Sequence, residues 1–129
     1  MKNRVTGIGG LFFKSKNPKD TKDWYKKHLG FNTDDWGCAF WWKDEKGNKA
    51  STQWSPFKND TNYFLPSKKE YMFNYRVDNL NMLLKKLKSE GVKIIGEIEE
   101  YEYGKFGWIL DPEGNKIELW EPIDKAFIS

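Results

Sequence analysis

The stretch Asp111-Pro112-Glu113-Gly114-Asn115-Lys116-Ile117-Glu118-Leu119-Trp120 decides how this chain is read. Asp-Pro-Glu-Gly-Asn is strong turn chemistry. Pro pre-sets one backbone angle, and Gly and Asn tolerate the left-handed region. Lys-Ile-Glu-Leu-Trp after it alternates in character, as a strand with two unlike faces does. Residues 105–110 (Lys-Phe-Gly-Trp-Ile-Leu) before the turn form the other arm of a hairpin.

The same grammar occurs earlier. Gly47-Asn48-Lys49 matches Gly114-Asn115-Lys116, and Trp54-Ser55-Pro56 matches Trp120-Glu121-Pro122. The first copy has one extra residue between its anchors. Before each hairpin comes a helix signal. Asn17-Pro18 opens one helix, which stops at Gly30. In it, Trp24, Tyr25, His28 and Leu29 gather on one face. Asp78-Asn79 opens the other, with Leu80, Leu83, Leu84 and Leu87 at i, i+3, i+4, i+7, and Gly91 ends it. Strands are expected at 8–13 and 71–77 before the helices, and at 36–43, 49–54, 92–98, 105–110 and 116–120 after them. Chance agreement of common turn residues is the plain alternative, but several anchors agree in order. The repeat predicts an α+β fold of two paired βαβββ modules forming curved mixed sheets around a cleft. Module one spans about 1–56, a connector 57–70, and module two about 71–122.

Composition bounds the function. The 129 residues suit one domain able to bury a core without staples. Aromatics reach 17%, with seven Trp, six Tyr and nine Phe, so core or cleft is built largely from rings. A net charge of +3 lacks the concentrated basic stripe of a nucleic-acid binder. A single cysteine, Cys38, excludes an intrachain disulfide and a CxxC zinc site. No membrane-spanning run or signal-peptide core is present, so no membrane partner is expected and the default location is the cytoplasm.

These motifs resemble the vicinal oxygen chelate superfamily, which includes glyoxalase I, extradiol dioxygenases, and fosfomycin- and bleomycin-resistance proteins. The resemblance rests on Trp24-Tyr25-x-x-His28-Leu29-Gly30-Phe31 and on Asp111-Pro112-Glu113-Gly114-Asn115-Lys116-Ile117-Glu118-Leu119, and covers almost the whole chain. It implies a homodimer and a divalent metal held by the first and last strands of each module. Carried over by counting, those metal positions fall on Gly10, Ser51 or Thr52, Met72 and Glu118. Gln53 would need a one-residue shift. Only Glu118 is a convincing ligand, where a catalytic site normally needs about three. The expectation is therefore no metal and no cofactor.

Alternation in the strands gives the cleft lining. Phe73, Tyr75 and Val77 should face the Leu-rich helix, leaving Met72, Asn74 and Arg76 on the cleft. Leu11 and Phe13 face the other helix, leaving Phe12 beside Gly10 and Lys14. Glu118 and Trp120 face the cleft, and repeat symmetry adds Trp54. The expected ligand-binding residues are thus Phe12, Trp54, Met72, Asn74, Arg76 and Trp120. Glu118 is the candidate catalytic group, alternatively neutralised by an ion pair with Arg76. The rings could equally fill a core or a dimer contact. Glu97, Glu99, Glu100 and Glu102 interleave with Ile98, Tyr101 and Tyr103, which reads as a solvated edge or loop, or as an acidic lip for cations. His28 and Cys38 read as packing residues. The leading expectation is a bleomycin-resistance-like protein that binds a small molecule without metal. The alternatives are a metal-dependent glyoxalase-type lyase, isomerase or dioxygenase, a metal-free enzyme with Glu118 as general base, and a pure interaction module.

Overall fold

A computed structural model describes residues 4–123. The element order is β1 (Val5–Ser15), α1 (Pro18–Leu29), β2 (Cys38–Lys43), β3 (Lys49–Lys58), β4 (Tyr71–Val77), α2 (Leu80–Ser89), β5 (Ile94–Tyr101), β6 (Gly104–Leu110) and β7 (Lys116–Pro122). The chain is α+β, built from βαβββ-type modules. In module one the strand after α1 shrinks to a single bridge, Thr33 to Cys38.

The helices start and stop as their chemistry dictates. The Asn17 side chain accepts the Asp20 N–H at 3.0 Å, and the Asn79 side chain accepts the Met82 N–H at 3.0 Å. Gly30 takes the left-handed conformation (φ 72°) that closes α1. β3 continues through Pro56 to Lys58, two residues past the expected module boundary. The Glu- and Tyr-rich segment is an edge as far as Tyr101, in the outer strand β5, and Glu102 and Tyr103 form the turn after it.

All seven strands form one mixed sheet in the order β2-β3-β1-β4-β7-β6-β5. The modules meet side by side within the chain, where β1 and β4 pair antiparallel. Within each module the first and last strands pair parallel, β1 with β3 and β4 with β7. Across the middle the register lines up a row: Gln53 opposite Gly10, Gly10 opposite Asn74, Asn74 opposite Glu118, and Glu118 opposite Trp108.

Each face of the sheet carries its own apolar cluster. Under α2, Val77, Leu80, Leu83, Leu84 and Leu119 are buried together, with Tyr75 and Ile117 against them. On the other face, Phe64, Met72 and Trp108 are buried, with Phe12, Phe57 and Phe106 packed around. Two faces with different occupants fix the strand register, because a one-residue slip would exchange them. The helix α1 buries no residue fully. Of its expected face, only Tyr25 reaches inward, its ring 4.6 Å from that of Trp54. Trp24, His28 and Leu29 remain exposed, with Trp24 and His28 in ring contact at 4.8 Å. No helix among the described residues is long and apolar enough to cross a membrane.

Candidate functional site

The site grows from alternation in β7. Ile117 and Leu119 pack toward α2, so Glu118 and Trp120 stand on the opposite face. Both are 2% exposed. A carboxylate so buried needs partners, and Glu118 has three. Asn74 Nδ2 donates to Oε1 at 2.6 Å. Trp108 Nε1 donates to Oε2 at 2.9 Å, and the Tyr63 hydroxyl donates to the same oxygen. Burial pushes the Glu118 carboxyl well above the usual range, against the pull of those hydrogen bonds and of nearby Lys116. The Tyr63 phenol is also pushed up, first by burial and then by the Glu118 charge.

Around the carboxylate stand rings. Phe106 and Trp120 stack at 5.9 Å with 6° between planes, and Tyr101 stacks on Tyr103 at 5.3 Å. Phe12 lies 5.3 Å from Phe57 and packs against the cluster of Phe64, Met72 and Trp108. Met72 is buried in the same cluster. Lys116 Nζ lies over the rings of Tyr63 and Trp108, at 5.2 and 5.6 Å. Partial burial lowers its pKa.

Arg76 does not pair with Glu118. Its Nη1 donates to the Ser51 carbonyl at 2.9 Å, and its guanidinium lies 5.1 Å from the Trp120 ring and 5.5 Å from that of Trp42. The register separates the two side chains: Arg76 stands opposite Trp120, and Asn74 stands opposite Glu118.

Trp54 requires a correction. Repeat symmetry with Trp120 predicts it on the cleft lining, but its ring packs against Phe13, Tyr25 and Phe31, on the side of α1. The extra residue in the first module is the cause. Lys49 to Trp54 is five steps and Lys116 to Trp120 is four, and an odd step reverses the face. Phe73 has the strand parity of Tyr75 and Val77, as expected, but is 41% exposed and stacked on Tyr71, outside the cluster under α2. Cys38 is buried, and burial pushes its thiol away from the reactive thiolate.

Two residues that hold Glu118 were missed by sequence reasoning. Trp108 was legible: counting back across the Asp111–Asn115 turn places it opposite Glu118. Tyr63 was not, because it lies in the irregular stretch 59–70, which has no period to read.

The register also tests the metal positions the superfamily implies. The row containing Glu118 and Gly10 is completed by Asn74 and Gln53, rather than by Met72 and Ser51 or Thr52. These residues do not fit a tightly held divalent ion. Asn74 turns its N–H2 toward Glu118, and Gln53 Nε2 donates to Ser51 Oγ at 3.2 Å. Both carboxylate oxygens already accept from N–H or O–H groups. Among the described residues no three His, Cys, Asp or Glu side chains converge.

A separate hollow of about 150 Å³ opens near the ends of β4 and β7, lined by Tyr71, Phe73, Tyr75 and Asn115 among others. It is small beside typical ligand sites.

No protein-family model matches the sequence, and no curated protein matches it. Solved structures do match in fold. Methylmalonyl-CoA epimerase from Mycobacterium tuberculosis is 23% identical with a TM-score of 0.63, over 100% of this chain and 96% of that one. A variant of Streptomyces coelicolor methylmalonyl-CoA epimerase, in complex with 2-nitronate-propionyl-CoA, is 13% identical with a TM-score of 0.70, over 92% and 99%. A Legionella pneumophila structure described as NAD-dependent benzaldehyde dehydrogenase is 13% identical with a TM-score of 0.58, over 88% and 97%. The chain therefore shares the fold of methylmalonyl-CoA epimerase, with a carboxylate, an amide and an indole buried together at the middle of its sheet.

Proposed function

We propose that this protein binds a small organic molecule against the ring-walled face over Glu118, without a resident metal. One observation carries the reading: a carboxylate is held almost fully buried among Trp108, Trp120 and Phe106, with its oxygens directed by three hydrogen-bond donors. Rings supply contact area, and a few fixed polar groups supply orientation, as ligand sites require. Phe12, Met72, Asn74, Arg76 and Trp120 contribute to the wall or floor. Trp54 supports the wall from behind the sheet. Two structures of this fold carry acyl-CoA ligands, 2-nitronate-propionyl-CoA and methylmalonyl-CoA, so an acyl-CoA ester belongs in any ligand panel.

Intrinsic fluorescence tests the proposal, since Trp108 and Trp120 stand at the site. Titration with a panel of aromatic and acyl-CoA ligands should give a saturable change, unaffected by a chelator. One equivalent of copurified metal, with binding abolished by its removal, would replace this reading by a metal-dependent one.

A second reading is favoured by the raised proton affinity of Glu118, which brings a carboxyl toward the range of a general base. Under it, Glu118 removes a proton from a bound carbon acid and returns it. Turnover that disappears in Glu118→Gln, with ligand binding retained, would establish it.

We propose separately that the protein pairs as a homodimer. Val5, Ile8, Leu11, Tyr71 and Phe73 leave an exposed apolar strip along the β1–β4 seam. Light scattering should give twice the chain mass.

A further inference from the structure

Tyr63 is placed as a ligand would be. It belongs to no strand or helix, yet its side chain enters the site from the stretch 59–70. Its ring lies nearly parallel to that of Phe57, at 5.6 Å and 13°. It meets the Trp108 ring edge to face, at 6.2 Å and 90°. Lys116 Nζ sits over it, and its hydroxyl donates to Glu118 Oε2. A flat ring between aromatic walls, with a donor on a buried carboxylate, is the recognition pattern for a phenol. The residue as a whole is still 38% exposed, so Tyr63 lies between the buried carboxylate and solvent.

The backbone around it is anchored independently. Phe64 is fully buried, and Lys116 Nζ donates to the Tyr63 carbonyl at 2.7 Å. The Tyr63 N–H donates to Thr61 Oγ1 at 3.2 Å. Rotation of one side chain therefore vacates the place without unfolding the stretch that carries it.

We infer that Tyr63 is a built-in surrogate ligand, and that the site takes a planar hydroxyaromatic or N–H heteroaromatic molecule that replaces the Tyr63 phenol on Glu118. This rests on the ligand-binding reading above and narrows it to a chemical class. The acceptor at the floor is a carboxylate, so the incoming group must donate. Above the raised pKa of Glu118, an anionic acid group would meet like charge there. Tyr63 would keep the carboxylate satisfied between ligands, because a buried polar group without a partner is costly.

The experiment uses the full chain with p-cresol as probe, 4-methylanisole as its donor-free counterpart, and benzoate as the anionic one. Affinities are measured by NMR titration for the unmodified protein, Tyr63→Phe, Tyr63→Ala and Glu118→Gln. Tyr63→Phe keeps the ring and loses only its hold on Glu118, so p-cresol should bind about tenfold tighter. Tyr63→Ala, if folded by circular dichroism, should bind at least as tightly. Against either variant 4-methylanisole and benzoate should be weaker, and Glu118→Gln should narrow the preference for p-cresol. In the unmodified protein, saturating p-cresol should move the Tyr63 ring resonances. Equal p-cresol affinity in the unmodified protein and Tyr63→Phe would overturn the inference, as would equal binding of p-cresol and 4-methylanisole. Absence of p-cresol binding in every variant overturns it too. A saturable fluorescence response to another ligand would then leave the broader binding reading standing, and no response to any ligand would remove both.

Discussion

Glu118 concentrates the physics of the site. Its carboxyl is harder to ionise than in the unfolded chain, because burial opposes the charge. The folded state therefore holds that proton more tightly than the unfolded state. Its contribution to stability is fully present below the ordinary carboxylate pKa and is lost as pH rises through the elevated one. Glu118→Gln removes the charge and keeps the shape. The Gln carbonyl can accept from Trp108 and Tyr63, and its N–H2 can face a flipped Asn74, whose Oδ1 is otherwise buried without a partner. We expect this variant to melt higher than the unmodified protein at pH 8, with the difference shrinking toward pH 4. Thermal melts across that range measure it, and a parallel pair of curves would refute the burial argument.

At the scale of elements, α2 carries the more regular core. Leu83 is 3% exposed in the cluster under the helix, and Met82 beside it is 58% exposed. Leu83→Ala should cost about 2–5 kcal/mol, and Met82→Ala no more than about 0.5 kcal/mol, in chemical denaturation. Asn79→Ala should cost about 1 kcal/mol by stripping the cap from Met82 N–H. The helix α1 differs, because it buries no residue fully and is held by ring contacts to Trp54 and Phe31.

The whole molecule depends on the seam where the modules join. Gly9 lies in β1 at the point where the β1–β4 register shifts. A Cβ there would run into Asn74 Oδ1, with Trp120 and Arg76 carbons only 3.0 and 3.1 Å away. None of these is a loose surface chain. Gly9→Ala should therefore destabilise by about 1–3 kcal/mol, as overpacking does. It should also perturb Asn74, and through it Glu118. Denaturation and the pH dependence of melting should change together in this variant. A change in stability alone would mean that seam and site are independent.

Hydrophobic period and turn chemistry sufficed to place both helices, the last hairpin and the repeat. These depend on short-range rules: Asn caps, Gly stops, Leu at helical spacing, and a Gly-Asn turn between alternating runs. Alternation alone placed Glu118, Trp120, Asn74 and Met72 on the face away from α2. Tertiary structure decided the rest. The face of Trp54 turned on where one extra residue fell in a strand, and parity in a strand has no memory of sequence likeness. The arrival of Tyr63 at Glu118 turned on the path of a stretch without period, which only packing against Phe57, Phe64 and Trp108 specifies. The partners of Glu118 turned on contacts with residues 10 to 55 positions away in the chain, Trp108, Asn74 and Tyr63, which only the assembled sheet and the stretch packed on it bring together.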